Sequence, residues 1–223
     1  MQWALLASLP SADQRRILDA ARRRRFGRGE IVFHEGDPAD SLHLVESGIF
    51  AVQVSDRTGD KATLNVLASG GFFGELALVQ DVQTPRRSAT VLALVPGQTL
   101  TITRTAFTAM RNSSPGVERL VVAALAHRVE ELSERLLEAL YVGVDRRVYR
   151  RLVELGEIYG GSGSDIVIPL SQADVATMAG ASRPTVNQVL QRLVGRGIIS
   201  LGRREITVRD LAALREVAQN LDS

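Results

Sequence analysis

The sequence predicts an α+β chain in three parts: an antiparallel β-roll, a single long helix, and a small helical domain closed by a hairpin. Three changes of hydrophobic period carry this reading. From Gly29 to Thr103 apolar residues recur at every second position between glycine- and proline-marked turns. From Pro115 to Leu140 the interval becomes three and four. From Ile166 to Val208 two short helical stripes are joined by a glycine turn and followed by a basic hairpin. The 223 residues suffice for one large domain or two small ones with a real core.

In the first part Phe50, Val52 and Val54 alternate with Ala51, Gln53 and Ser55, and Leu100 and Ile102 with Thr99, Thr101 and Thr103. Such alternation marks half-buried strands. Gly29, Gly36-Asp37-Pro38, Gly48, Gly59-Asp60, Gly70-Gly71, Pro85 and Pro96-Gly97 mark turns, and short strands at this spacing imply a jelly-roll-like antiparallel roll. Ahead of it, Pro10 to Arg25 reads as a helix opened by Ser11-Ala-Asp-Gln, with Ile17, Leu18 and Ala21 as its apolar face. The run Arg22–Arg25 then lies at the helix C-terminus, a solvated face where cations suit the dipole.

In the long helix Val122, Leu125, Val129, Leu132, Leu136 and Ala139 are spaced 3, 4, 3, 4, 3. This is an a/d seam over about three heptads, with Glu130, Glu131, Glu134 and Arg135 outside it. A second stripe, Val117, Leu120, Val121 and Ala124, suits packing on the roll. A helix with two apolar faces must bury both. Either the seam pairs with a second copy in a homodimer, the favoured reading, or it is a long core helix within one subunit. Val142-Gly143-Val144 interrupts the helix, and Asp145 is the expected N-cap of the next one, Arg146 to Tyr159. Gly160-Gly-Ser-Gly-Ser reads as a flexible break. The expected domains are a roll over residues 1–110, a dimerisation helix and hinge over 111–143, and a C-terminal domain over 144–223, with Gly143 as the hinge.

In that last domain Ser171 caps a helix Gln172–Ala179 with Val175 and Met178 facing inward, and Gly180-Ala181 makes a turn. Ser182 caps a second helix with Pro184 in its first turn, where the missing N–H costs little. Val186, Val189, Leu190 and Leu193 form its core stripe, and Gly195 and Gly197 end it. Ile198–Leu201 and Ile206–Val208 flank Gly202-Arg203-Arg204. This order is a winged helix-turn-helix. Arg183, Arg192, Arg196, Arg203, Arg204 and Arg209 against the single acid Glu205 favour a DNA role over a plain helical hairpin.

Composition narrows the function classes. With no cysteine, a disulfide framework, thiolate zinc and Cys-ligated iron–sulfur clusters are excluded. No run reaches the ~18–20 apolar residues of a membrane span, and Met1-Gln-Trp-Ala-Leu-Leu lacks the parts of a signal peptide. A soluble, cytoplasmic protein without membrane contact is expected. His34, His43 and His127 lack metal-ligand spacing and read as surface or packing residues, so neither metal nor haem is expected. No nucleophile–base grouping suggests an enzyme. The net charge of +2 comes from 27 basic and 25 acidic residues, every basic one but Lys61 an arginine. It conceals an uneven distribution. Residues 1–28 carry seven basic and two acidic residues, residues 29–110 five against nine, and residues 185–209 five against one.

The order of parts resembles the cyclic AMP receptor / fumarate-nitrate regulator family of bacterial transcription regulators, from Leu5 to Arg209. One motif is Gly71-Phe-Phe-Gly74-Glu75-Leu76-Ala77 followed by Arg87-Ser88-Ala89, similar to the phosphate-binding cassette of cyclic-nucleotide-binding domains. The residue types suit a cyclic phosphate. Gly74 admits close backbone approach, and a helical turn at Glu75 aims free N–H groups of Leu76 and Ala77 outward. Arg87 offers a fork of donors and Ser88 a hydroxyl. The resemblance implies that Glu75 accepts from the ribose 2′-hydroxyl; a surface Glu75–Arg87 ion pair is the plainer alternative. It also places Arg128, Leu132 and Ser133 at the base. Leu132 stands where the cyclic-AMP pattern has Thr and cannot bond an exocyclic amine. Cyclic AMP is therefore the first expected effector, with cyclic GMP or another anion open.

The second motif, Gly180-Ala-Ser182-Arg183-Pro-Thr185-Val-Asn187, is similar to the family's recognition-helix signature. The resemblance makes Arg183 the reader of a guanine. Pro184 replaces the family's Glu, and Gln188 replaces its second Arg and suits adenine better. Ser171, Gln172, Ser182 and Thr185 fall at phosphate-contact positions, Asn187 on the same helix, and Arg203 and Arg204 would add phosphate contacts from the hairpin. The implied partners are a two-fold symmetric DNA operator, a second copy of the chain, and RNA polymerase.

Overall fold

The computed structural model describes residues 3–7, 9–55, 61–78, 84–113, 115–160 and 165–219. The expected Gly59-Asp60 turn, residues 161–164 of the glycine-serine stretch and the side chain of Val117 lie outside the described residues. The chain divides into two compact units, Met1–Val54 with Leu64–Ser133, and Glu134–Ser223 with Ser55–Thr63.

The first unit opens with α1 (Ala4–Ala7) and α2 (Ser11–Ala20). The strands are β1 (Arg22–Phe26), β2 (Ile31–Phe33), β3 (Ser41–Ser55), β4 (Lys61–Leu67), β5 (Phe72–Phe73) and β6 (Thr90–Thr103). A 3-10 turn, Glu75–Leu78, follows β5, and α3 (Arg104–Ser113) and α4 (Pro115–Tyr141) follow β6. The sheet order is β1-β6-β3-β4, with β2 on β6 and β5 on β3. Its spine is the antiparallel pair β3 and β6, in register from Ser41↔Thr103 to Gln53↔Thr90 with shifts between Val45 and Phe50. Gly48 sits in these shifts with φ +84°. A Cβ there would lie 2.4 Å from Gly97 Cα, so the two strands approach over bare backbone.

The alternation in β3 and β6 buries both faces. Leu42, Leu44 and Ile102 pack with Trp3, Leu5, Ile17, Phe107, Leu120 and Ala124. On the other side Phe26, Val45, Phe50, Phe73 and Val91 form the interior of the roll. Ala51, Thr99 and Thr101, expected to face solvent, are therefore buried. The threonines face the roll interior beside His43, and the N-terminal helices and α4 cover the opposite, apolar face.

The helix expected over Pro10 to Arg25 ends at Ala20, and its N-cap is Pro10, without a side-chain cap bond. Arg22–Phe26 is strand β1, paired from Arg22↔Thr101 to Phe26↔Gly97. Arginine favours helix, but a ladder on β6 and the burial of Phe26 edge-on against Phe50, 5.8 Å apart, override that propensity. The four arginines stay exposed on the end strand of the sheet, where charge discourages further strand pairing.

A polar group crosses the roll interior. His43 is 1% exposed and stacks on Phe73 at 4.8 Å. Its Nδ1 lies 3.1 Å from Thr99 Oγ1 and 3.2 Å from Thr101 Oγ1, and its Nε2 lies 3.4 Å from Ser41 Oγ. Burial above all, with Arg87 and Arg24 nearby, pushes its pKa down to about 3 against the opposing pull of Asp40.

The second unit holds the end of α4, then α5 (Val144–Tyr159), β7 (Ile166–Ile168), α6 (Gln172–Ala179), α7 (Arg183–Gly195), β8 (Ile199–Gly202), β9 (Glu205–Val208) and α8 (Leu211–Gln219). The strands order β7-β9-β8, all antiparallel. Val148, Leu152, Val175, Val186, Leu190 and Leu214 fill its core. Gly143, not Asp145, occupies the N-cap of α5, and no side chain caps it. Asp145 lies in the first turn, where it favours the dipole and pairs with Arg192 of α7. Arg147 replaces a cap in effect. Its guanidinium donates to the carbonyls of Val142 and Ala139 at the end of α4 and to Ala179 and Gly180 at the end of α6. Arg151, which is buried, ion-pairs with Glu138 and Glu154. Among the described residues, no helix is long and apolar enough to cross a membrane.

Two outcomes follow for stability. Gly48→Ala forces a Cβ into the Gly97 backbone at a left-handed φ, and should lower the unfolding free energy by about 3 kcal/mol in urea titration. His43 has a lower pKa folded than unfolded, so its stability contribution is complete above pH 6.5 and is lost as pH falls toward 3. The slope is that of one proton, about 1.4 kcal/mol per pH unit. His43→Gln should remove it, so parallel pH profiles for the two proteins would contradict the assignment.

Candidate functional site

A cavity of about 160 Å³ opens in the roll. Gly74, Glu75, Leu76, Ala77, Arg87, Ser88, Arg128 and Leu132 all line it. The path from β5 into the 3-10 turn supplies the first four. Gly74 makes that corner with φ +82°, and a Cβ on it would stand 2.7 Å from Arg87 Nη1 and 2.8 Å from the Ser41 carbonyl oxygen. The turn's first bond runs from the Ala77 N–H to the Gly74 carbonyl, 3.1 Å. An opening turn leaves its earliest N–H groups without intrahelical partners, here those of Glu75 and Leu76.

Arg87 is the most constrained group. Its backbone is tied on both sides: its N–H donates to the Asp37 carbonyl and its own carbonyl accepts from the Gly36 N–H, each at 2.9 Å. Its guanidinium is buried. Nη1 donates to the Ser41 carbonyl at 2.7 Å, and Nη2 to Ser41 Oγ at 2.9 Å and Asp40 Oδ1 at 3.0 Å. The plane lies 3.9 Å from the centre of the Phe33 ring. Burial lowers the pKa of Arg87, with Asp40, Asp37 and Glu75 opposing. Among the described residues, its buried Nε has no hydrogen-bond partner.

That orphan donor tests whether an anion fits. A buried N–H without an acceptor is costly, and this one belongs to a cation lining a cavity beside a glycine whose missing side chain keeps the approach open. A small monoanion is a group that offers such a donor an acceptor.

Glu75 is 5% exposed and does not pair with Arg87 as the plainer alternative had it. Its carboxylate accepts from Arg128 Nε at 3.1 Å; Arg128 Nη1 donates to Glu131 at 2.9 Å, and Glu131 accepts from Asn65 at 2.9 Å. Leu132 reaches the cavity, but Ser133 does not line it. The exposed Ser133 hydroxyl donates back to the Val129 carbonyl at 2.8 Å, a local bond available to any helical serine. Sequence reasoning missed Phe33, Asp40, Ser41 and His43. They stand more than forty residues before Arg87, and no local pattern distinguishes them.

The helix-turn-helix is built as its local signals dictate. Ser171 and Asp174 form a reciprocal capping box on α6, and Gly180 ends that helix in the left-handed region. Ser182 Oγ accepts from the Thr185 N–H at 3.3 Å, with Pro184 in the first turn of α7. Val186, Val189, Leu190 and Leu193 are buried, which turns Arg183, Pro184, Asn187 and Gln188 to solvent. Gln172 and Thr185 are half-buried. Arg203 and Arg204 are exposed at the turn between β8 and β9, Arg204 with φ +61°. For a residue with a side chain this is strained.

Comparison with known proteins agrees with both halves. Residues 23–114 match the cyclic nucleotide-binding domain family, and residues 146–217 the Crp-like helix-turn-helix domain family. The chain is 30% identical over 200 residues to the cyclic AMP receptor protein of Thermus thermophilus, covering 90% of this chain and 89% of that one. It is 28% identical over 197 residues to a CRP-like cAMP-activated global transcriptional regulator of Mycobacterium tuberculosis, covering 87% of each. In fold it is similar to a transcriptional regulator of Eubacterium rectale, with TM-score 0.77 at 20% identity, covering 97% of this chain and 98% of that one. It is also similar to the c-di-GMP-responsive global regulator of Xanthomonas campestris, with TM-score 0.74 at 21% identity, covering 89% and 99%. A nucleotide-binding roll joined to a Crp-like helix-turn-helix, with such a relative along nearly its whole length, makes this chain a member of the Crp/Fnr family of DNA-binding transcription regulators, which are not enzymes.

Proposed function

We propose that the protein is a cytoplasmic homodimer whose binding to a two-fold symmetric operator is controlled by a cyclic nucleotide, cyclic AMP before cyclic GMP. Residues 1–110 would sense the nucleotide, 111–143 dimerise and 144–223 read DNA. The observation that carries the ligand half is the buried guanidinium of Arg87, whose Nη1 stands at the Gly74 corner and whose Nε has no hydrogen-bond partner among the described residues. Arg87 and Ser88, with the N–H groups of Glu75 and Leu76, would hold the phosphate; the Ala77 N–H, expected to join them, is taken by the Gly74 carbonyl. Glu75 would exchange Arg128 for a ribose hydroxyl. Leu132 offers the base only apolar contact, which keeps cyclic GMP as the second candidate. The relatives from Thermus thermophilus and Mycobacterium tuberculosis are cyclic AMP proteins by name, in agreement with that order.

The dimer half rests on α4. Leu120 and Ala124 are buried, but Val122, Val129, Leu132 and Leu136 are 47–63% exposed at heptad spacing. A stripe of that kind is buried against a second helix. Because Leu132 belongs to both the stripe and the cavity, a ligand that moves it shifts the balance between dimer arrangements by its differential affinity for them. The competent arrangement sets the two copies of α7 about 34 Å apart, one turn of DNA. Arg183 would read guanine bidentately, and Gln188 an adenine. Ser171, Gln172, Ser182, Thr185, Asn187, Arg203 and Arg204 would fix register on phosphates and adjoining edges. Contact with RNA polymerase follows from the family's role.

Fluorescence anisotropy on a symmetric operator tests the scheme. Cyclic AMP should tighten binding in the wild type and do nothing for Arg87→Ala, whereas Arg183→Ala should abolish operator binding with nucleotide affinity intact. Equal DNA affinity with and without cyclic AMP or cyclic GMP in the wild type would remove the ligand half. Leu136→Asp should convert the protein to monomer in sedimentation, and a variant that stays dimeric at micromolar concentration would remove the dimer half.

A further inference from the structure

We infer that His43 is a positioning residue for Arg87, acting through the Ser41 hydroxyl as a relay that orients the buried guanidinium. The inference rests on the reading of Arg87 as the partner of an anion, and the donor count around Ser41 carries it. A serine hydroxyl has one hydrogen to give and two lone pairs. Ser41 Oγ has three neighbours: Asp40 Oδ1 at 2.8 Å, Arg87 Nη2 at 2.9 Å and His43 Nε2 at 3.4 Å. Asp40 only accepts, and Arg87 only donates. The serine hydrogen therefore goes to Asp40, and the third neighbour must be a donor, which makes it Nε2–H. In a neutral imidazole Nδ1 is then an acceptor, and it meets the hydroxyls of Thr99 and Thr101. The assignment fits the neutral ring, the form that burial of His43 favours.

Geometry holds the relay still. Ser41 and His43 share one face of β3, and Thr101 lies directly across from His43 on β6. Phe73 stacks on the imidazole, and Phe33 contacts both ends, 5.9 Å from the His43 ring and 3.9 Å from Arg87. The groups facing His43 are Arg87, Arg24 and Asp40. A packing residue in this place would need neither nitrogen. Here both are used, and one leads in two steps to Arg87.

Calorimetric titration with cyclic AMP on a double-mutant cycle tests this. His43→Phe keeps a ring against Phe73 and removes both nitrogens. It should weaken nucleotide affinity about five- to tenfold, and His43→Gln, which retains an amide donor, should recover most of that loss. Introduced into Ser41→Ala, His43→Phe should change affinity less than twofold, because the relay is already broken. No loss in the wild-type background, or an equal loss in the Ser41→Ala background, would overturn the inference. A ligand-free measurement stands beside it. Nitrogen-15 histidine spectra of the wild type should show the Nε2–H tautomer of His43 from pH 8 to pH 5. The Nδ1–H tautomer would overturn the inference even if His43→Phe fails to fold. If the wild type binds neither cyclic nucleotide, the nucleotide reading fails, and the spectra still decide the relay.

Discussion

A buried guanidinium is the constraint on which the N-terminal unit turns. Taking Arg87 out of water is unfavourable unless its donors are met, and the roll meets most of them with acceptors from one short stretch. The Ser41 carbonyl, the Ser41 hydroxyl and the Asp40 carboxylate receive its terminal nitrogens, and Phe33 covers its face. Asp40 is itself largely solvent-exposed, so the charge pair is wet on one side and its Coulomb attraction is moderated there. What remains is a donor, Nε, with no partner among the described residues.

The same constraint reaches outward. Gly74 must lack a side chain because Arg87 and the Ser41 carbonyl stand where its Cβ would be. The backbone bonds of Arg87 to Gly36 and Asp37 hold the loop that carries it against the turn before β3. The pairing of β3 with β6 then sets Ser41, His43 and the two threonines on one interior face. Across the cavity Glu75 holds Arg128, so α4 is tied to the floor of the pocket by one residue and to the core by Leu120 and Ala124. One helix thus carries the pocket wall and the exposed heptad stripe. Any ligand that competes for Glu75 acts on the element that would join two subunits.

How much of this was legible in the sequence depended on the range of the interactions involved. The helix-turn-helix was readable almost residue for residue, because its signals are local. Ser171 and Asp174 close on each other three residues apart, Gly180 accepts a backbone conformation other residues resist, and Pro184 tolerates only a first turn. The cassette residues Gly74, Glu75 and Arg87 were readable from the resemblance, and the heptad stripe of α4 from its period.

What the tertiary structure alone decided was every case where a distant partner outweighed a local preference. Arg22–Arg25 has the propensity and capping environment of a helix end, yet it is a strand because β6 offers a ladder and Phe50 a place for Phe26. Asp145 has the chemistry of an N-cap, yet Arg192, far along the chain, takes its carboxylate, and Gly143 takes the position. His43 carried no signal, since one histidine in an alternating strand looks like any other until Thr99, Thr101 and Ser41 are brought to its nitrogens. Local periodicity determined most of the helices and strands, and the resemblance which residues could meet an anion or a base. Only the packing of the sheet, which brings together groups more than forty residues apart, decided what holds Arg87 in place.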